Sequence, residues 1–143
     1  MEMKTFNVDF VQRTKQIINE YCNDSCKYEV TLLINCLLGL ISLPTVNTGS
    51  DESVFIQEYI EKLSNLKAIN RQSEEGKTFR SLKNALSHMY IEPRNEDGKI
   101  NKIIFKDKIP GRDCFHTELE FTVESLREFA LFVADKYLTK FDN

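Results

Sequence analysis

Apolar residues recur at helical spacing in five stretches of the chain. Phe6, Phe10, Val11, Ile17, Ile18 and Tyr21 mark one face of an N-terminal amphipathic helix that runs to about Glu20. Val30 to Leu43 is apolar almost all round, as a central bundle helix is, until Pro44 and the following Thr-Val-Asn-Thr-Gly-Ser cluster end it. Val54, Phe55, Tyr59, Ile60, Leu63 and Leu66 predict a third helix from Asp51, with Ser50 or Asp51 able to cap its free N–H groups. Polar residues 67 to 75 separate it from a fourth, from about Glu75 to Tyr90. The pattern then changes: Glu96-Asp97-Gly98 is a turn signal, flanked by Tyr90-Ile91 and by Ile100, Ile103, Ile104 and Phe105, and it predicts a β-hairpin. After a loop carrying Pro110 and Gly111, Thr122 opens the last helix. Phe121 and Leu126 stand at the two positions of a hydrophobic staple, and Val123, Leu126, Phe129, Ala130, Val133, Tyr137 and Leu138 form the apolar face. No repeat, low-complexity tract or long linker divides the chain, so one mainly α domain over residues 1–143 is expected: an up-down bundle of about five helices with a hairpin insertion near residues 90–107.

Composition narrows this little. The chain is 41% hydrophobic and 29% charged, with few Gly and Pro, as ordinary globular domains are. Cys22, Cys26, Cys36 and Cys114 follow no charged-then-apolar leader, so reduced thiols and a cytoplasmic location are expected. Val30 to Leu43 is shorter than the ~20 apolar residues that span a bilayer, so no membrane association is expected. The net charge of −3 argues against indiscriminate nucleic-acid coating, but it is unevenly spread. Residues 66 to 113 carry eleven Lys and Arg against seven Asp and Glu, a local +4 that leaves −7 for the rest. That basic middle admits a patch for an anionic ligand.

The fourth helix lies within it. At about 100° per residue, Phe79, Leu82, Ala85, Leu86 and Met89 fall on one side, and Arg80, Lys83, Asn84, Ser87 and His88 on the other. Any amphipathic helix shows polar residues to water. Here the polar set can also do chemistry. An imidazole exchanges protons near neutral pH, and two cations can hold a phosphate whose charge rises in a transition state. The amide and hydroxyl can orient either.

Leu82-Lys83-Asn84-Ala85-Leu86-Ser87-His88 resembles the signature helix of the HEPN superfamily, in which an Arg, commonly followed by Asn or another polar residue, precedes a His with four to six residues between them. The gap here is four. The hairpin region, the loop through Phe115, and the segments Leu126 to Phe129 and Val133 to Leu138 are also similar to a plasmid-borne branch of that superfamily, so the resemblance covers about residues 73 to 139. It implies a HEPN-like helical bundle forming a homodimer, with the two signature helices facing each other across a shared cleft that in active families cuts RNA without metal. His88, Lys83 and Asn84 are then the catalytic candidates, and Arg80 and Ser87 the substrate-binding ones. The implied partners are RNA and an antitoxin or nucleotidyltransferase; no cofactor or metal is implied. Lys83 stands where the family has Arg, a point charge instead of a planar bidentate fork. A catalytically degenerate HEPN module binding nucleotide, RNA or a partner protein is therefore the alternative.

Other groupings are weaker. Cys22 and Cys26 lack a second ligand pair, and Cys114 and His116, two apart, need not face each other. Five scattered Gly exclude a glycine-rich phosphate loop. Glu118, Glu120, Glu124 and Glu128 read as an acidic approach to the last helix, suited to its dipole.

Overall fold

The structure, a computed structural model, describes residues 3–21, 29–41, 58, 61–62, 69–71, 75–108 and 115–141. In chain order its elements are helix α1 (Met3–Tyr21), helix α2 (Glu29–Ile41), strand β1 (Ile69–Arg71), helix α3 (Glu75–His88), strands β2 (Ile91–Glu96), β3 (Lys99–Lys108) and β4 (Phe115–Thr122), and helix α4 (Val123–Phe141). Contacts group into two compact units, one comprising residues 1–52 and 127–143, the other residues 53–126.

The first unit is helical. On α1, Val11 and Ile18 are fully buried, while Phe6 and Tyr21 are exposed despite their place in the apolar pattern. Thr14 is buried in their stead, because its hydroxyl donates to the Phe10 carbonyl at 2.8 Å and so needs no water. Leu33, Cys36, Leu37, Leu40 and Ile41 of α2 are buried. Gly39 leaves room there for the Phe10 ring of α1, whose Cζ lies 3.0 Å from where a Cβ would stand. Phe129, Ala130, Val133 and Tyr137 of α4 are buried as the periodicity predicts, and Ala134 is buried with them. Among the described residues no helix is long and apolar enough to cross a membrane.

The second unit corrects the expected architecture. Instead of about five bundled helices with a hairpin insertion, four helices are delimited among the described residues, and the hairpin is part of a four-stranded antiparallel sheet of order β1-β4-β3-β2. Of the expected third helix, Glu58, Glu61 and Lys62 have helical backbone, and the rest lies outside the described residues. The sheet exists because residues 115–122 alternate as a half-buried strand does. Leu119 and Phe121 are buried against Phe105 and Ile103 of β3, whereas Glu118 and Glu120 lie on the other face beside Lys106 and Ile104. Those glutamates prepare no helix N-terminus; they belong to a strand. β1 adds three residues to β4 within what reads as a polar connection.

The hairpin turn is as expected. Asp97 and Gly98 both have positive φ, 53° and 81°, the geometry of the two-residue turn whose twist matches antiparallel strands. α3 packs on the sheet, chiefly against β3. It contributes Leu82, Ala85 and Leu86 to a core with Ile103, Phe105, Leu119 and Phe121, in which the Phe105 and Phe121 rings meet edge to face at 5.6 Å. On the other face Lys106 bridges Glu92 at 2.9 Å and Glu118 at 3.9 Å, with Arg94 on Glu92 at 3.3 Å and Lys102 on Glu120 at 3.8 Å. The hydrogen bond from Lys106, aided by the charges of Arg94 and Lys106 and opposed by desolvation, holds the Glu92 carboxyl below its ordinary value of 4.5. β2, the outer strand, carries Pro93 and an irregularity after Arg94, both of which discourage a further strand from pairing.

Candidate functional site

The candidate residues gather at the C-terminal end of α3. Lys83 and Asn84 are half-buried along its flank, and Ser87 and His88 are exposed in its last turn. Residues one turn apart are neighbours with Cβ atoms about 5–6 Å apart, so Asn84 stands beside His88 and Lys83 beside Ser87. Arg80 lies in α3, one turn before Asn84, and its side chain is outside the described residues. The helix thus brings Lys83, Asn84, Ser87 and His88 to one exposed margin, while Leu82, Ala85 and Leu86 hold the opposite margin to the sheet.

How the helix ends decides where the imidazole stands. α3 stops at His88, two residues short of the expected end, and Met89 adopts the left-handed conformation with φ 58°. The Met89 N–H donates to the Leu86 carbonyl at 3.3 Å, and the Tyr90 N–H to the Ala85 carbonyl at 2.9 Å. This paired arrangement closes a helix by satisfying carbonyls that have no helical partner. Glycine normally occupies the left-handed position, since a Cβ there costs on the order of 1 kcal/mol or more. Met89 was expected on the packed side of the helix; it is instead 64% exposed, because the reversal takes it off the helical wheel.

The same reversal delivers Tyr90, which sequence reasoning had left as the end of the helix. Its ring stacks on that of His88, with centroids 5.8 Å apart and planes 28° from parallel. Its carbonyl accepts the Lys106 N–H at 2.9 Å, which ties the turn to β3. The imidazole is therefore exposed to solvent beside the closed helix end, and it stacks on the ring of a residue whose backbone is tied to the sheet. The only sequence signal for this pairing was the i,i+2 spacing of two rings across a helix end, and it becomes readable only once the end is placed.

Chemically, this margin offers a proton-exchanging group, a cation, an amide and a hydroxyl on a rigid support, which suits recognition of a phosphodiester. Cys22, Cys26 and Cys114 lie outside the described residues, as does the side chain of His116. Among the described residues no three of His, Cys, Asp and Glu gather as metal ligands would.

With this geometry in place, comparison with known proteins is informative at one level. A family model described as HEPN pEK499 p136 matches residues 1–143. Comparison with curated proteins and with solved structures gives no match.

Proposed function

The chain belongs to the HEPN pEK499 p136 family, a plasmid-associated branch of HEPN proteins, and from that premise we propose that it acts on RNA as a metal-independent endoribonuclease. What supports the reading is the exposed imidazole of His88, stacked on Tyr90 at the end of α3, with Lys83, Asn84 and Ser87 on the same margin. His88 takes the proton from a ribose 2′-hydroxyl as its oxygen attacks the adjacent phosphorus. The bond from phosphorus to the 5′-oxygen breaks, and that oxygen takes a proton from the imidazolium form of His88 in a second copy, which is left neutral as the first His88 becomes charged. The products are a 2′,3′-cyclic phosphate and a 5′-hydroxyl. Lys83, with Arg80 one turn earlier, offsets the charge that builds on the phosphoryl oxygens, and Asn84 and Ser87 hold the imidazole and substrate by hydrogen bonds. The protein works as a homodimer in the cytoplasm, as the toxic or antiviral effector of a defence or plasmid system. An antitoxin or nucleotidyltransferase partner restrains it.

One observation favours a second reading. Lys83 occupies the position of the family's Arg, and an ammonium cannot grip two phosphate oxygens with a planar fork. A degenerate module that binds RNA, nucleotide or a protein without cutting would tolerate this. The two separate when purified protein is incubated with RNA in EDTA. On the nuclease reading the wild type cleaves, and His88→Ala loses on the order of 10²- to 10⁴-fold in rate, the usual contribution of one acid–base group. On the binding reading neither cleaves, and a filter assay then shows whether RNA is what the module holds. Lys83→Arg should raise the rate severalfold if the weakened phosphate grip is what limits it.

A further inference from the structure

Among the described residues Met89, Asp97 and Gly98 have positive φ. The last two form the hairpin turn, where that backbone is required and their side chains suit it. Met89 is the exception. An unbranched apolar side chain occupies a position that glycine would fill without strain, and burial gives nothing in return, since the residue is 64% exposed. Phe6 and Tyr21, also large, apolar and exposed, sit on ordinary helical backbone in α1. At Met89 alone among the described residues do strain and apolar exposure coincide, and it directly follows His88, whose ring is exposed and stacked on Tyr90. Two unfavourable features at one position beside a reactive group mark a contact made with something outside the chain.

We propose that Met89 is a substrate-contact residue whose thioether packs on the face of a nucleobase flanking the phosphate that His88 addresses. The inference rests on the RNA-acting reading above and adds a base subsite to it. A thioether is flexible and polarizable and makes favourable contacts with aromatic rings, so it accepts any base and fixes the position of the strand without reading its sequence. The left-handed turn holds that side chain clear of the core and next to the imidazole.

The test uses the full chain, a short single-stranded RNA in EDTA, and two variants that separate backbone from side chain. Met89→Gly relieves the strain and removes the thioether, whereas Met89→Ala keeps the strain and removes the thioether. Met89→Gly should raise Tm by about 2–6 °C and Met89→Ala should leave it near wild type. Both should raise KM about 3- to 10-fold, with the loss in KM and not in kcat, or weaken RNA binding by the same factor if read by fluorescence anisotropy. Their sedimentation should match the wild type. If KM and affinity are unchanged in both variants while the wild type acts on RNA, the base subsite is wrong and the RNA reading survives. If either variant instead shifts the monomer–dimer equilibrium, Met89 is covered by a second copy and the proposal is overturned. A wild type that neither binds nor cleaves RNA removes both.

Discussion

Two helix ends in the sheet-bearing unit meet the same requirement, unsatisfied backbone groups, at very different cost. At the start of α4 the Thr122 hydroxyl accepts the Ser125 N–H at 3.0 Å, and the Ser125 hydroxyl returns a bond to the Thr122 carbonyl at 3.0 Å. Phe121 and Leu126, on either side of this cap, are both buried. Thr122 at the cap, and Phe121 with Leu126 as the staple, are the types the geometry favours. At the end of α3 the hydrogen bonds are equally complete, but a methionine holds the glycine position, and Ser87, His88 and Met89 are left in solvent. The local rule is kept at the start of α4 and broken at Met89, next to the candidate imidazole, and such departures are where a candidate site is best sought.

Substitutions at the two helix ends and in the hairpin separate these contributions. The largest expected effect is at Leu86, which is buried and whose carbonyl receives the Met89 N–H. Leu86→Ala should cost about 2–5 kcal/mol in urea denaturation, because it opens a cavity under the turn that positions His88. A loss under ~1 kcal/mol would mean that the reversal is held from elsewhere. Next comes the cap: Thr122→Ala should cost about 1 kcal/mol and Thr122→Gly only a few tenths, as a side-chain cap requires. Equal losses would deny the hydroxyl its role. Gly98→Ala should cost on the order of 1 kcal/mol with no change in RNA binding, since open space surrounds its Cβ direction and only the φ of 81° resists. It is the mirror of Met89→Gly, a strain introduced away from the candidate site.

The smallest effect is electrostatic. Because the Glu92 carboxyl is held below its ordinary value of 4.5, its contribution is present above that pH and is lost as pH falls through the lower folded value. Glu92→Gln should therefore lose a little stability at pH 7 and converge with the wild type as pH falls below about 4.5, which flattens the acid limb of the stability profile. An acid limb steeper in the variant would contradict the assignment.

Much of this was legible in the sequence. The helices announced themselves by period, the hairpin by Asp97-Gly98, and the start of α4 by Thr122 between Phe121 and Leu126, because each rests on short-range geometry. β4 was hidden because two glutamates at alternating positions look alike on a strand's outer face and at a helix approach. Only pairing with β3, which is non-local, decides between them. The end of α3 was hidden for a sharper reason. Apolar periodicity runs through Leu82, Leu86 and Met89 without a break, and the usual stop signal, a glycine, is replaced by methionine. Lys83, Asn84, Ser87 and His88 could be placed on one margin from helical spacing, whereas the stacking of Tyr90 depended on that unannounced end.

What remains to be tested is the proposed proton transfer by the imidazole at the closed end of α3 during RNA scission. Its most direct measurement is the chemistry of the new ends when the wild type is incubated with RNA in EDTA. The prediction is 2′,3′-cyclic phosphate and 5′-hydroxyl termini that disappear in His88→Ala while the variant keeps its wild-type Tm. Termini bearing 5′-phosphate and 3′-hydroxyl, or the same cyclic ends formed undiminished by His88→Ala, would contradict it.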